Sequence, residues 1–353
     1  MTTQSQQSKK VNVAVIGASG YTGGDLVRLA ACHTNIELKE LVAHSHAGQE
    51  MADVFPHLAY LRLPKLKAWN DVNWDTIDAV FCGLPHGTAR DIIVQLPDHL
   101  KIIDMSADFR IRDPELYQKW YGRSHDAEGL LQEAVYGLTE FYSGEIETAR
   151  LVACPGCYPT ATLLALLPLL QNQVIDPSDI IIDAKSGVSG AGRGLKQNTL
   201  FTEAGEGLSP YSIGKHRHAP EIEQELSKAV HESVTVNFTP HLVPMSRGEL
   251  ITAYVKLHPD CSWGDLKRVL EKKYMTSTFV KVLPEEKVPA TQHVRGSNYC
   301  HINVFPDRIA GRAIVISALD NLVKGSAGQA LQNFNVMFGF DEALGLQQQA
   351  LFP

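Results

Sequence analysis

No apolar stretch of the 353-residue sequence approaches the roughly 18 residues that a membrane span requires. There is no long run of lysine or arginine, and the net charge is −7 at pH 7, so wholesale nucleic-acid binding is not expected. Six cysteines are too few for a disulfide framework in a chain of this length. Cys154 and Cys157 form a C-x-x-C pair, yet no second pair and no histidine pair at zinc-finger spacing follow, so no metal is expected. A thioredoxin-like dithiol also fits poorly, because that fold is much smaller and carries no dinucleotide fingerprint. Cys32, Cys82, Cys261 and Cys300 lie in apolar or strand-like settings and read as inert core residues. The first ten residues, MTTQSQQSKK, lack the apolar core of a signal peptide and read as a disordered tail. A reducing cytoplasm is the simplest setting. With 44% hydrophobic and 20% charged residues, the composition is that of a globular enzyme with room for about two domains of ~150 residues.

The chain opens with a dinucleotide fingerprint. A buried-strand run, Val11-Asn-Val-Ala-Val-Ile, leads into Gly17-Ala-Ser19-Gly20-Tyr21-Thr22-Gly23. A helical pattern and a second strand, Ile36 to Ala43, follow. Strand, glycine turn, helix and strand are the frame in which a phosphate group sits on a helix N-terminus. The second strand ends in Ala43-His-Ser45-His with no carboxylate to claim a ribose 2′-hydroxyl. That absence, with Ser45 and two histidines on offer, favours NADP over NAD. Strands at Ala79–Cys82 and Ile102–Met105 deliver the loops Gly83-Leu-Pro85-His-Gly and Ser106-Ala-Asp-Phe-Arg110. Loops at the carboxyl ends of parallel strands line the ligand crevice. Equally, Pro85 and Gly87 can simply make turns while Asp108 and Arg110 pair locally.

The run Cys154-Pro-Gly-Cys157-Tyr-Pro-Thr stands directly before an apolar helical stretch. Gly156 permits a sharp turn, and Pro159 suits a first helical position. Cys157 is thereby placed at the helix mouth, where free N–H groups and the positive end of the helix dipole favour a thiolate. A thiolate there is a nucleophile for a carbonyl carbon. Backbone N–H groups at the same helix start, including that of Cys157, suit an oxyanion. Further on, Lys215-His216-Arg217-His218-Ala-Pro220-Glu221 predicts a helix beginning near residue 219. His218 falls at its mouth as a candidate acid/base, with Glu221 placed to orient the ring. His216, between two cations, reads as a binding group for an anionic substrate. Arg193 in a glycine-rich turn and Arg247 after Pro244-Met-Ser are candidate carboxylate or phosphate clamps, or else ion-pair partners. Strands at Ile180–Ala184, Val234–Phe238, Leu250–Leu257, Phe279–Leu283, Cys300–Phe305 and Arg312–Ala318 alternate with helices near 162–171, 220–231 and 263–273. The pattern predicts an α/β fold with an N-terminal Rossmann domain and a second α/β domain holding a mixed, largely antiparallel sheet. A last helix near Gly325–Phe338 is expected to pack back on the first domain.

Taken together, these motifs, with Pro240-His-Leu-Val-Pro-Met-x-Arg-Gly and Asn321-Leu-Val-Lys324-Gly, resemble the N-acetyl-γ-glutamyl-phosphate reductase family, which is related to aspartate-semialdehyde dehydrogenase. The resemblance covers nearly the whole chain after residue 10. One departure is Cys154, where many relatives carry Asn or an apolar residue. The resemblance implies an NADP-binding Rossmann domain over 11–153, a catalytic and dimerisation domain over 154–320, and a returning C-terminal helix over 321–353. It implies NADPH-dependent reduction of an acyl phosphate in arginine biosynthesis by a homodimer or homotetramer. Cys157 is then the nucleophile and a histidine of the Lys215–His218 segment the acid/base, with His218 taken, ahead of His216, as the one that returns a proton to sulfur. Substrate contacts are assigned to Arg110, Ser186, Arg193, His216, Glu221 and Arg247. Cofactor contacts are assigned to Gly17, Ser19, Gly20, Tyr21, Thr22, Gly23, Ser45, Pro85, Ser106 and Gly190, with Asn321 and Lys324 near the nicotinamide. A related acyl-phosphate reductase of aspartate-semialdehyde or amino-adipate type is the second reading. A non-catalytic NADP sensor is the third, and it would not need both Cys157 and His218.

The bare end of the second strand generates a first prediction. Comparison of kcat/KM for the two cofactors should favour NADP; better use of NAD would mean that a carboxylate from elsewhere reaches the ribose.

Overall fold

The computed structural model describes residues 10–353. Apart from Lys10, the tail expected over residues 1–10 lies outside the described residues. Two seven-stranded sheets organise the chain. The first contains β1 (Val11–Ile16), β2 (Ile36–Val42), β3 (Leu66–Lys67), β4 (Ala79–Cys82), β5 (Lys101–Asp104), β6 (Val135–Tyr136) and β7 (Leu151–Ala153). Every pairing in it is parallel, in the order β3-β2-β1-β4-β5-β7-β6. Strands such as Ala79–Cys82 are buried along their whole length, as sheets covered on both faces require. The order reverses between β1 and β4, which opens a crevice at their carboxyl ends.

The second sheet contains β8 (Ile175–Gly187), β9 (Ser209–Pro210), β10 (Asn237–Val243), β11 (Glu249–Leu257), β12 (Val280–Val282), β13 (Cys300–Pro306) and β14 (Arg312–Leu319). It is mixed, with β8–β10 and β12–β13 parallel and its other pairings antiparallel. Short strands β3, β6, β7 and β9 escaped the sequence reading, because two or three residues carry no period. The strand expected at Val234–Phe238 begins three residues later, at Asn237.

The helix Cys157–Gln171 is the common core. From Tyr158 to Leu170 every residue is buried, which explains its lack of a polar face. Pro168 has no N–H for the carbonyl of Leu164; the Tyr274 hydroxyl donates to that oxygen at 2.6 Å instead. Short β7 ends just before Cys154, so the cysteine turn emerges at the carboxyl edge of the parallel sheet. In the last helix, Gly328–Met337, Phe334, Leu331 and Ala330 share a core with Val13, Phe81 and Ile103.

Lys324 takes a different place from the one the family motif suggested. Its ammonium is fully buried and bonds Glu140 Oε1 at 2.5 Å and Gln332 Oε1 at 2.7 Å. The side chain is a structural ion pair beneath the returning helix and is not free to reach a nicotinamide. Replacing Lys324 with Met should therefore cost ~3–5 kcal/mol in denaturant unfolding, because Glu140 is left as an uncompensated buried charge. The double variant Lys324→Met/Glu140→Leu should recover most of that loss; an unstable double variant would show that the pair does more than neutralise itself.

Candidate active site

The first wall of the site is the glycine turn. Gly17 has φ +81°, in the left-handed region, and a Cβ there would collide with the Gly83 carbonyl. A Cβ at Gly23 would strike the Gly17 carbonyl, so small residues let the helix Tyr21–Ala30 approach the turn. That helix starts at Gly20 with no side-chain cap and no acidic residue in its first turn, leaving its N–H groups for an anion. Thr22 Oγ1 accepts from Ser326, while Tyr21 is partly exposed at the mouth. The residues fit a dinucleotide phosphate. Ser45 lies in a turn, His44–His46, at the end of β2, and its hydroxyl meets His46 Nδ1 at 2.9 Å. Pro85 lies in the loop after β4. The Ser106 hydroxyl instead donates to Asp104 at 2.8 Å and is buried.

A cleft of about 540 Å³ opens beside this turn, lined by Tyr21, Asp25, Phe55, Ser189, Arg193 and Arg247 among others. Neither Cys157 nor His218 lines it. Arg193, expected to clamp substrate, donates to the carbonyls of Ser19 and Val54 and lies over the Phe55 ring. Arg247 makes two 3.0 Å bonds to buried Asp25 and approaches Asp320. Both arginines therefore brace the second sheet against the first unit; the Arg247 charge is met by carboxylates, whereas Arg193, bonded only to carbonyls, keeps its charge at the cleft wall. Asn321 is likewise occupied: it accepts from Gly248 N–H at 2.9 Å and donates to Ser189 at 3.0 Å. It ties two loops together beside Gly190 and the buried Ser186.

The second wall is the cysteine turn. Cys157 is the first residue of its helix and Pro159 the third, where a missing N–H costs nothing. Under the turn, fully buried Glu221 accepts from Gly156 N–H at 2.9 Å and from Tyr136 Oη at 2.8 Å, with Arg110 at 3.4 Å. Arg110 also donates to the carbonyls of Cys154 and Met105. Neither residue is available to substrate as expected, and Glu221 does not orient the His218 ring; both peg the turn in place. Occupation of the Gly156 N–H also leaves any oxyanion to the N–H groups from Cys157 onward.

His218 begins the helix His218–Val230, and its Nε2 lies over Gly156, so close that a Cβ there would collide with it. Burial, then His216, Arg110 and Arg217, push its pKa well below the usual imidazole range. His216 is not on the rim. Its ring packs edge-on against Tyr158, Tyr211 and His218, and its Nδ1 accepts from His218 N–H at 3.1 Å. Burial brings its pKa down to about 4. Among the described residues, Lys215 and Arg217 of this segment have no ion-pair partner.

The state of Cys157 also differs from expectation. Burial, and next the neighbouring Glu249 carboxyl, raise the thiol well above its usual range. The Tyr158 N–H and Arg110 oppose this and do not prevail. Glu249 was missed by sequence reading; its only signal was a charged residue opening an apolar strand.

The buried imidazoles generate a pH prediction. Unfolded histidines take up protons near pH 6.5, and these folded ones refuse them. Their stabilising contribution is full above ~6.5 and is lost as pH falls toward 4, at ~1.4 kcal/mol per pH unit for each withheld proton. His216→Phe should flatten the decline in urea-unfolding stability between pH 6.5 and 5 by about one proton. An unchanged slope would place the His216 ring in water, and the sequence-based expectation of a raised KM would return.

Comparison with known proteins agrees with this geometry. Residues 12–149 match the family model "Semialdehyde dehydrogenase, NAD binding domain", and residues 157–321 match "Semialdehyde dehydrogenase, dimerisation domain". An N-acetyl-gamma-glutamyl-phosphate reductase of Rhodospirillum rubrum is 54% identical over 351 residues, 98% of this chain and 100% of that protein. A probable chloroplastic reductase of the same name from Arabidopsis thaliana is 54% identical over 345 residues, 98% of this chain and 86% of that protein. In fold, aspartate semialdehyde dehydrogenase II from Vibrio cholerae aligns with TM-score 0.72 at 16% identity, covering 94% of this chain and 99% of that one. Aspartate semialdehyde dehydrogenase with NADP from Candida albicans aligns at 0.66 and 16%, covering 94% and 99%. A glycine turn built for a dinucleotide, a cysteine at a helix mouth beside a histidine, and identity above one half along nearly the whole length place this chain in the semialdehyde dehydrogenase family, among the N-acetyl-γ-glutamyl-phosphate reductases.

Proposed function

We propose that the chain reduces N-acetyl-L-glutamyl 5-phosphate to N-acetyl-L-glutamate 5-semialdehyde and phosphate through a thioester on Cys157, as a step of arginine biosynthesis. The observation that carries this reading is the pegged turn: Cys157 starts a helix at the carboxyl edge of the parallel sheet, with His218 lying over Gly156. Cys157 attacks the acyl carbon, and phosphate departs. The free N–H groups of the helix start hold the oxygen that becomes negative. When bound, the nicotinamide supplies hydride to the thioester carbon. His218, kept neutral by burial, exchanges a proton at the reacting centre. Lys215 and Arg217 receive the substrate's anionic groups, since Arg247 and Arg110 are paired with buried carboxylates.

NADP is the cofactor this reading assigns, supported by the absence of a carboxylate at residues 43–46. The working division is a cofactor part over 11–153, a catalytic and dimerisation part over 154–320 and the returning helix beyond. A cytoplasmic homodimer or homotetramer completes the reading. Its support is the face of the second sheet opposite the cysteine helix, where Ile181, Tyr254, Ile314 and Ile316 are only partly covered. No helix among the described residues is long and apolar enough to cross a membrane.

The substrate test is NADP-dependent oxidation of N-acetylglutamate semialdehyde in phosphate, compared with aspartate semialdehyde; a preference for the latter would overturn the assignment. Cys157→Ser should abolish turnover and leave NADP binding intact, because a hydroxyl is a far weaker acid than the thiol it replaces and is not ionised by the groups beside it. Cys154→Ala should keep most activity, since that thiol is buried against Asn333 and burial pushes it up to about 12. Loss of about 10²–10⁴ in kcat is expected for His218→Asn. Near-normal turnover of the Cys157 variant would refute the thioester.

A further inference from the structure

Glu249 is an anomaly of burial. Its side chain is wholly enclosed, and neither carboxyl oxygen has a hydrogen-bond partner among the described residues. A buried carboxyl without partners costs several kcal/mol in general, so its presence calls for a reason. Strand geometry says where it points. Glu249 opens β11 and pairs across with Ser186 of β8 and Leu319 of β14. Ile251, Ala253 and Val255 follow at period two on the same face, and all three are in the core that holds the cysteine helix. The first position of that face lies at the start of the helix: Leu319, the cross-strand partner of Glu249, and Cys157 border the same point over Gly325, which brings the carboxyl close enough to act on the Cys157 thiol.

The titratable groups near enough to exchange electrostatic influence with it are Cys157 and Tyr158 of the cysteine helix, Asp320 in the loop after β14, Tyr211 in the segment before the histidine helix and Cys300 of β13. None is a cation. Arg110, the nearest positive charge acting on Cys157, is already bound to Glu221 and two carbonyls. Burial, with Asp320 adding to it, pushes the Glu249 carboxyl up to about 8, and the thiol stands higher still. Two acids close enough to act on each other's charge ionise as a pair.

We propose that Glu249 is a catalytic residue that exchanges a proton with the Cys157 thiol, the two sharing one proton during the reaction. As sulfur attacks the acyl carbon, the S–H proton passes to the Glu249 carboxylate. The C–S bond forms, and the C–O bond to phosphate breaks with its electron pair on the leaving oxygen. After hydride has reached the thioester carbon, the C–S bond breaks, the aldehyde forms, and the thiolate recovers its proton from the Glu249 carboxyl. The sulfur's proton is thus conserved within the pair. His218 is relieved of the task suggested by sequence alone and serves the departing phosphate oxygen, which needs one proton from solvent per turnover.

This inference rests on the thioester chemistry above, but its test uses a readout that needs no substrate. The rate of Cys157 alkylation by iodoacetamide is followed from pH 6 to 11, with the Cys157 peptide resolved by mass because Cys32 and Cys261 are also accessible. The native protein should show two steps, the first near pH 8, where the pair loses its first proton. Glu249→Gln should show one step, with kcat reduced about 10–100-fold at pH 7.5 and KM within twofold, since the residue does not touch substrate. Glu249→Asp should retain both steps and part of kcat. A single step in the native protein, or an unaltered profile and kcat in Glu249→Gln, would overturn the proposal. If the Gln variant does not fold, the native profile decides alone. Failure of the substrate test with two steps intact would remove the substrate assignment and leave the pair standing.

Discussion

One buried carboxylate, Glu221, holds the catalytic turn in the geometry on which the site depends. It belongs to the histidine helix, yet it receives Gly156 N–H of the cysteine turn, Tyr136 Oη from β6 and the guanidinium of Arg110 from the loop after β5. Four segments from both halves of the chain therefore meet on two oxygen atoms. Burial alone would raise this carboxyl, while Arg110 and the two donors pull it back. Such a cluster is stable only when complete, because one missing partner leaves a buried charge worth several kcal/mol. The same helix that supplies Glu221 supplies His218 one turn earlier, so fixing the turn also fixes the imidazole over it.

The competition at Cys157 is settled by magnitudes. A helix N-terminus offers a thiolate ~0.3–1 kcal/mol, and up to about 2 in favourable geometry. Desolvation shifts a buried acid by up to about 3–5 units, at 1.36 kcal/mol each. Burial outweighs the helix, and the Cys157 thiol stands above its usual range. A half-buried thiol held above its usual range gains from a proton acceptor beside the sulfur.

The charged groups show how far side-chain chemistry can be judged from type alone. Arg193, Arg247 and Arg110 suggested substrate binding and Lys324 a place near the nicotinamide, and all four bond carbonyls or carboxylates elsewhere in the chain. Arg247 meets Asp25 from a position 222 residues away. No local pattern announces such a partner. His216 is similar: two flanking cations suggested an exposed rim, whereas Tyr158 and Phe238 converge on its ring from distant segments and Tyr211 closes over it from five residues away.

What the sequence determined by itself is the set of features enforced locally. The apolar run Val11–Ile16, the left-handed Gly17 and the uncapped helix after it are dictated within a dozen residues, and the dinucleotide turn was legible from them. The cysteine at a helix mouth and the histidine at another were legible for the same reason, since prolines and glycines mark those ends. Strands of two or three residues were not, being shorter than the period that reveals them. Only the tertiary structure decided which polar groups meet: Glu221 beneath Gly156, Lys324 against Glu140, and Glu249 facing Cys157 across the second sheet. Electrostatic work in a low-dielectric interior depends on distance and burial, and neither is a property of neighbours in the chain.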